Sequence, residues 1–300
     1  MYQNNETKGI MQIVYFSGTG GTERVAACFN ETLRQKGCQT VLTPLDLSAI
    51  NNGVYSDVHQ DTGILFLIFA VHAFDAPENV YSWMEQISSN SKKAVVISVS
   101  GGGEVWPNTG CRTGVIRALE SKGFDVIYEK MMCMPCNWVT PMNDDMAMWL
   151  LAALPEKTEK IITSVISGQK RRTKHRKGRL QNAISKLEKK GAKEFGTLLA
   201  ISEACTGCGL CAKTCPVQNI ILKDGKPAFL AHCLMCFRCI YTCPSKALSS
   251  KNFMVLKKGF SIHDIEKRMK DKELPSVRKS CKGLFWIGVR NYLTDKDGYS

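Results

Sequence analysis

Two twelve-residue stretches, CTGCGLCAKTCP at residues 205–216 and CLMCFRCIYTCP at residues 233–244, repeat one cysteine pattern. Each stretch reads C-x2-C-x2-C-x3-C-P. A loop with this spacing places its first three thiolates around one [4Fe-4S] cluster, while the fourth cysteine begins the departing segment and ligates the other cluster. The repeat therefore predicts two clusters, each completed by a cysteine of the opposite stretch.

The predicted ligand sets are Cys205, Cys208, Cys211 and Cys243 for one cluster, and Cys233, Cys236, Cys239 and Cys215 for the other. Paired C-x2-C motifs also bind zinc, but a zinc site needs four ligands and has no use for a third cysteine followed by a repeated C-P. Residues 197–250 thus resemble a bacterial-type ferredoxin with two [4Fe-4S] clusters. That resemblance implies a small α+β domain, with short strands within LLAISEAC and PAFLAHC.

The rest of the composition indicates how these cysteines are used. The chain has 14 cysteines, but its N-terminus, MYQNNETKGIMQIVYFSG, lacks the basic, apolar and small-residue regions of a secretory signal. No apolar run is long enough to span a bilayer. We therefore expect a cytoplasmic protein with no membrane span, whose cysteines bind metal rather than form disulfides. Cys133 and Cys136 have the spacing of a redox dithiol without the context of a thioredoxin-like helix, and their role stays open.

The N-terminal half alternates strand-like and helix-like segments, which is typical of a parallel α/β sheet. Five apolar runs predict five strands buried on both faces: MQIVYFS, TVLTPLDL, GILFLIFAV, KAVVISVS and FDVIYEKMM. The predicted helices between them are TERVAACFNETLRQKG, NVYSWMEQISS and CRTGVIRALESKG. In such a sheet a ligand binds at the carboxyl ends of the strands, near the topological switch point.

The stretch SGTGGTE at residues 17–23 follows the first strand and opens a helix. A Walker loop would need Gly-Lys followed by Ser or Thr, and a dinucleotide fingerprint would need glycine where Glu23 stands. A loop of hydroxyls and backbone N–H groups at a helix N-terminus is suited instead to a single phosphate. The predicted hydrogen-bond donors are Ser17, Thr19 and Thr22.

The stretch SGTGGT resembles the phosphate loop with which flavodoxins bind FMN, although Gly21 stands where asparagine is common. The resemblance implies an α/β domain with a doubly wound, parallel, five-stranded flavodoxin-like sheet. It also implies that the loops after the third and fourth strands hold the flavin ring. The predicted FMN site comprises Ser17, Gly18, Thr19, Gly20, Gly21, Thr22, His72, Ala73, Phe74, Ser100, Gly101, Gly102, Gly103 and Trp106.

Two features of these ring-binding loops can be interpreted in more than one way. Phe74 and Trp106 could stack on the flavin ring, or they could simply pack in the core or at its rim. Three consecutive glycines at 101–103 cost conformational entropy unless the backbone must approach something closely. We therefore expect a close backbone contact at this glycine run.

The whole chain resembles the flavodoxin/ferredoxin fusion proteins of anaerobic bacteria. The resemblance implies a domain order of 10–167 for the flavodoxin-like FMN domain, 168–196 for a basic linker and helix, 197–250 for the ferredoxin domain and 251–300 for a helical tail. It implies a cytoplasmic electron-transfer protein with two [4Fe-4S] clusters and FMN. Whether such a chain is a carrier or a flavin-dependent oxidoreductase stays open. The alternative is an iron–sulfur or redox-sensing module that does not hold FMN.

The segment GQKRRTKHRKGRLQNAISKLEKKGAKEFG at residues 168–196 is strongly basic, and the chain has a formal net charge of +13. We interpret this segment first as a solvated linker leading into a helix that packs through Leu180, Ile184 and Leu187. A surface for an acidic redox partner protein is the functional alternative, and nucleic acid is disfavoured.

The last 50 residues contain two helix-like segments, SIHDIEKRMKDKEL and GLFWIGVRNYL. The second carries Phe285, Trp286, Val289 and Leu293 with amphipathic spacing. It could lie on a membrane surface. We expect the tail instead to cover the exposed face of one domain.

Overall fold

The computed structural model describes residues 9–45, 58–89, 91–138, 142–173, 178–250, 255–256 and 259–296. Its largest element is a parallel sheet of five strands: β1 (Ile10–Phe16), β2 (Thr40–Pro44), β3 (Thr62–Ala70), β4 (Lys93–Ser100) and β5 (Asp125–Cys133). The strand order is β2-β1-β3-β4-β5, which is the flavodoxin-like order of a doubly wound sheet. The predicted fold class is confirmed, and the switch point lies between β1 and β3.

Helices cover both faces of this sheet because β1, β3, β4 and β5 bury both sets of their alternating side chains. The edge strand β2 is only partly buried, so the prediction of five strands buried on both faces was wrong for β2. On one face, Met11 and Ile13 pack with α1 (Gly21–Gln35) and with α4 (Asp144–Ile166). On the other face, Val14 and Phe16 pack with α2 (Glu78–Gln86) and α3 (Thr113–Ser121). Because all five strands run parallel, the loops after β1, β3, β4 and β5 lie together at the carboxyl edge of the sheet.

The segment that follows α4 pairs with the outer edge of β5 at residues 171–173. Arg171 pairs with the edge of β5, donating its N–H to the Ile127 carbonyl (3.0 Å) and accepting from the Glu129 N–H (3.0 Å). Thr173 donates its N–H (2.7 Å) and its hydroxyl (2.9 Å) to the buried Glu129 carboxylate. The first part of the basic linker is thus attached to the open edge of the sheet.

The helix α5 (Arg179–Phe195) packs through a different face from the predicted one. Leu180 and Leu187 are 66% and 73% exposed, whereas Gln181 and Ser185 are buried. The prediction of an apolar packing face was wrong because α5 contacts the α/β domain through polar groups. Lys189, for example, pairs with Asp75 at 3.1 Å.

The ferredoxin-type domain consists of two short antiparallel strand pairs and two single-turn helices. β6 (Leu199–Ile201) pairs with β9 (Leu248–Ser250), and β7 (Ile220–Lys223) pairs with β8 (Lys226–Phe229). The helices α6 (Leu210–Lys213) and α7 (Arg238–Tyr241) each carry the third cysteine of one stretch. The domain therefore repeats one loop-and-helix unit twice.

The C-terminal tail forms α8 (Ile262–Met269), α9 (Val277–Ser280) and α10 (Ile287–Leu293), and it packs against α4 as expected. Cys281, Val289 and Tyr292 are buried in the core on that face of the sheet. Within the described ranges, no helix is both long enough and apolar enough to cross a membrane.

Candidate iron–sulfur and flavin sites

The first predicted ligand set surrounds one small cavity. Cys205, Cys208, Cys211 and Cys243 all line it, and the first three come from one stretch while Cys243 comes from the other. Pro244 lies on the same cavity and directs the chain away from it. The structure thus brings together the residues predicted for this cluster.

The structure also brings together the second predicted set. Burial, together with the charges of its neighbours Cys236 and Cys215, raises the pKa of the Cys233 thiol to about 12, although a hydrogen bond from the Met235 N–H opposes the shift. Burial likewise raises the pKa of Cys239, with contributions from Cys236, Cys233 and Cys215. The thiols of this set thus lie close enough for their charges to interact, and bound iron would offset the repulsion between their ionised forms.

Backbone N–H groups point at the sulfur atoms of both sets. Asn219 donates to the Cys215 Sγ (3.2 Å), Met235 to the Cys233 Sγ (3.3 Å) and Ala247 to the Cys243 Sγ (3.4 Å). Such hydrogen bonds stabilise thiolates and help to set the potential of a cluster that they ligate. The loops are therefore shaped to hold charged sulfur.

The two cysteine loops share their backbone shape despite different residues. Gly207 and Gly209 in the first loop have φ of 69° and 72°, and Met235 and Phe237 have 52° and 62° at the equivalent positions. The left-handed region is costly for Met and Phe, so the second loop holds two strained residues. Their side chains give this loop an apolar surface that the glycines of the first loop cannot provide.

The donor sets fit a cluster better than a single ion. Among the residues that the structure describes, no three His, Cys, Asp or Glu side chains are grouped to hold one metal ion. In a four-iron cluster each thiolate binds a different iron, so the ligands stand farther apart than around zinc. Two sets of four thiols, each with backbone N–H groups that donate to its sulfur atoms, have the chemistry that a [4Fe-4S] cluster requires.

A second, much larger cavity of about 870 Å³ lies at the carboxyl edge of the parallel sheet. This volume is within the range of ligand pockets in proteins. Of the predicted FMN residues, those lining the cavity are Ser17, Gly18, Thr19, Gly21, Thr22, His72, Ala73, Phe74, Ser100, Gly101, Gly102 and Trp106. The structure thus brings these residues to one site, whereas Gly20 and Gly103 lie outside its lining.

The phosphate loop has the backbone that anion binding needs. Gly20 has φ of 93°, and α1 begins after it with no side-chain cap at its N-terminus. The Ser17 hydroxyl accepts from the Gly20 N–H (3.1 Å), and the Thr19 hydroxyl accepts from the Asn137 side-chain amide (2.6 Å). A hydroxyl that accepts in this way can still donate its own proton to a phosphate.

The loop after β3 is a tight turn with strained backbone. His72 and Asp75 exchange two backbone hydrogen bonds (2.9 and 3.0 Å), and Ala73 and Phe74 between them have φ of 52° and 54°. Two successive positive φ values are those of a type I′ turn, which ordinarily requires Gly or Asn. Strain of this kind is concentrated at binding sites. The turn presents Ala73 and Phe74 to the cavity.

His72 connects this turn to the second cysteine loop. Its Nδ1 donates to the Leu234 carbonyl at 3.1 Å, and its ring packs edge-on against Phe16. Burial, together with the nearby charge of Lys189, lowers the pKa of His72 to about 4, although the hydrogen bond to Leu234 opposes the shift. His72 is therefore neutral near pH 7.

The expected close backbone contacts at the glycine run are present, and they are made with other parts of the chain. A Cβ on Gly101 would lie 2.6 Å from the Cys136 Cβ, and one on Gly103 would lie 2.5 Å from the Gly288 carbonyl carbon. Gly103 also has φ of 79°. Trp106 is 66% exposed at the rim of the cavity, whereas Phe74 is half-buried.

A buried ion-pair group that the sequence did not reveal supports this loop. Arg112 donates to Glu129 (2.8 Å) and to the Ser98 hydroxyl (2.9 Å), and it also pairs with Glu104, which follows the glycine run directly. Arg112 and both carboxylates are buried. Because breaking a buried pair leaves an uncompensated charge, the group holds the glycine run in a defined position.

Sequence reasoning also missed several walls of the large cavity. The loop after β5 (134–138), part of α5, the tail at 284–287 and the second cysteine loop (233–237) all line it. The β5 loop could have been predicted, since carboxyl ends of parallel strands meet at one edge. The other three come from distant parts of the chain, and no local signal indicates their position.

Comparison with known proteins agrees with this organisation. Residues 197–284 match the family described as a 4Fe-4S dicluster domain, so the match extends from the cysteine loops into the tail. No curated protein matches the chain. The chain combines a domain of flavodoxin-like topology with a matched 4Fe-4S domain, which confirms the predicted resemblance to flavodoxin/ferredoxin fusion proteins.

Solved structures similar to this chain include a flavodoxin from the domain Archaea, at 11% identity over 51% of this chain and 99% of its own, with a TM-score of 0.33. Oxidised flavodoxin 2 from Bacillus cereus has 11% identity over 51% and 99%, with a TM-score of 0.36. General stress protein 14 from Treponema denticola, solved with FMN, has 8% identity over 53% and 99%, with a TM-score of 0.36. The assignment of the fold depends on the strand order rather than on these values.

Proposed function

We propose that this chain transfers electrons between two [4Fe-4S] clusters and FMN. The observation that carries the proposal is the large cavity, whose wall includes both the phosphate loop and the second cysteine loop. Clusters exchange electrons singly, whereas a flavin takes up two. A chain that holds both groups side by side can convert between single-electron and paired transfer.

In this proposal the N–H groups at the N-terminus of α1 and the hydroxyls of Ser17, Thr19 and Thr22 would hold the FMN phosphate by hydrogen bonds. The dipole of a 15-residue helix favours an anion at this end. The turn at 72–75 and the loop at 100–106 enclose the ring. Phe74 and Trp106 offer aromatic faces on which it can stack.

We further propose that electrons enter from an acidic redox protein rather than from a nucleotide. The chain has a formal net charge of +13, which attracts acidic partners and increases their rate of association. Its sequence has no second phosphate-binding fingerprint, so NADH and NADPH should not be direct donors. We also propose a cytoplasmic location in an anaerobe, and a small-molecule acceptor at the flavin would make the chain an oxidoreductase.

The experiment that tests this function is anaerobic purification followed by assays of iron, sulfide, zinc and flavin. Two four-iron clusters and one FMN require about eight irons, about eight sulfides and about one flavin per chain. About two zincs with no visible absorbance would contradict the iron–sulfur assignment. Full iron content without flavin would favour the alternative, a redox-sensing module whose flavodoxin-like domain holds no FMN.

A further inference from the structure

Arg238, between Cys236 and Cys239 of the second stretch, connects the two sites. Its Nε donates to the Gly18 carbonyl at 2.9 Å, and its Nη2 donates to the Ser17 carbonyl. Its Nη1 donates to the Thr214 carbonyl at 3.0 Å. One guanidinium thus bonds the phosphate loop while it also bonds the residue before Cys215, the fourth predicted ligand of its own cluster.

These hydrogen bonds also orient the phosphate loop. In a planar trans peptide the C=O and the following N–H point in opposite directions. Because the carbonyls of Ser17 and Gly18 point at the guanidinium, the N–H groups of Gly18 and Thr19 point away from it. Arg238 therefore turns the loop's acceptors, which would repel a phosphate, toward the ferredoxin-type domain.

The phosphate loop and the second cysteine loop also contact each other directly, in addition to the hydrogen bonds of Arg238. A Cβ on Gly18 would lie 2.8 Å from the Cys236 carbonyl oxygen, so only glycine permits this approach. Leu234 and Cys236 pack against the core of the α/β domain. The His72 hydrogen bond to Leu234 adds a third connection between the domains.

The first cysteine loop lacks all of these features. None of its residues at 205–211 is among those lining the large cavity, and Cys208 is exposed. At the position equivalent to Arg238 it carries Leu210, which cannot bond a carbonyl. The two clusters are therefore not equivalent with respect to the flavin site.

We propose that the cluster of Cys233, Cys236, Cys239 and Cys215 is the one that exchanges electrons directly with the flavin, and that Arg238 is the residue that positions it against the phosphate loop. The inference rests on the proposed function. With both groups bound, each transfer would move one electron from the reduced second cluster to the flavin. Two such transfers, with two protons from water, would complete the reduction of the flavin, and the protein donor would return one electron to the cluster each time.

The test compares the full-length wild type with Arg238→Leu, Arg238→Lys and Lys223→Met. Arg238→Leu introduces the residue that the first loop carries, so the cysteine pattern tolerates it. Arg238→Lys keeps the charge, but the donors on its single ammonium nitrogen cannot reproduce the planar spread of guanidinium N–H groups that reaches all three carbonyls. Lys223 is exposed on β7, and its replacement removes one positive charge from the same domain as a matched control.

Three quantities are measured: iron, sulfide and flavin content, hydrogen–deuterium exchange of residues 17–22, and stopped-flow reduction by a small reduced ferredoxin. Arg238→Leu should keep its iron, exchange the phosphate-loop amides at least tenfold faster and reduce its flavin at least tenfold more slowly. Cluster reduction should be unchanged. Arg238→Lys should be intermediate, and Lys223→Met should match the wild type.

Wild-type exchange and wild-type flavin reduction in Arg238→Leu would overturn the inference. If Arg238→Leu loses its iron, the same comparison on Arg238→Lys decides, and wild-type exchange and flavin reduction there overturn it. A wild type that lacks iron or flavin would refute the proposed function instead. In that case the exchange measurement still shows whether Arg238 holds the phosphate loop.

Discussion

Replacement of Gly18 by alanine should disturb the contact between the phosphate loop and the second cysteine loop. The new Cβ would lie 2.8 Å from the Cys236 carbonyl oxygen and 3.1 Å from the Cys236 Cβ. Neither atom can rotate away, because one belongs to the backbone and the other is fixed by it. Ordinary contact begins at about 3.4 Å, so the two loops must separate by about 0.6 Å.

The magnitude follows from this clash. Forcing an extra methyl group into a packed contact costs about 1–3 kcal/mol. For a domain of 150–250 residues, each kcal/mol lowers the thermal midpoint by about 2–4 °C. We therefore expect Gly18→Ala to lower the midpoint of the protein by about 2–12 °C.

Gly21→Ala is the matched control, since Gly21 follows the same loop as the first residue of α1 and its Cβ would meet only the Met134 Cβ, at 3.7 Å. Neither glycine has a positive φ, so alanine at either position gains similar stability, about 0.4–1 kcal/mol, from the less flexible unfolded chain. Thermal unfolding of the anaerobic proteins, followed by tryptophan fluorescence, compares the pair. Equal midpoints for the two variants would refute the contact between the loops.

The remaining predictions concern the flavin, the clusters and the buried charges. The double variant Thr19→Ala, Thr22→Ala removes two hydrogen bonds to a charged phosphate, each worth about 1.5–3 kcal/mol. The chain should therefore purify largely without FMN but with its iron. Unchanged flavin content would exclude this loop as the phosphate site. Cys215→Ser and Cys243→Ser should lose different paramagnetic resonance signals, because each residue completes the cluster of the opposite stretch, whereas loss of the same signal would contradict crossed ligation. Arg112→Met should lower the free energy of unfolding by about 3–5 kcal/mol, because it leaves the buried Glu104 and Glu129 without their cation, and a loss below 1 kcal/mol in chemical denaturation would show that water reaches them. The lowered pKa of His72, about 4, means that the unfolded chain binds this proton and the folded chain does not between pH 4 and 6.5. The free energy of unfolding is therefore unaffected by this proton above pH 6.5 and falls by about 2 kcal/mol at pH 5. In His72→Gln the free energy of unfolding, measured from pH 7 to 5, should decline less.

Much of the fold could be predicted because its signals are local. The run KAVVISVS predicts β4 at residues 93–100, where the structure has it, because a strand buried on both faces is a continuous apolar run. The phosphate loop and the turn at 72–75 are likewise short segments that follow strands. Their meeting at one edge follows from the parallel topology alone.

The contacts between domains could not be predicted, because they join residues far apart in sequence. Arg238 and Gly18 are 220 positions apart, and an arginine in a cysteine loop has no pattern that indicates its acceptors. The packing face of α5 was predicted wrongly for a related reason. Its leucines have packing periodicity, but its actual contact is polar and depends on acidic residues such as Asp75, which lie on another domain.

The attachment of Arg171 to β5 has a consequence for how this protein can be divided. The outermost strand of a sheet exposes unpaired N–H and C=O groups that recruit strands from other molecules. A fragment ending at residue 167 would leave this edge of β5 open and would remove both Thr173 donors from the buried Glu129 carboxylate. We expect such a fragment to self-associate, and one extended through residue 173 to stay monomeric. The first residues of the basic linker thus cover an edge strand that would otherwise promote aggregation.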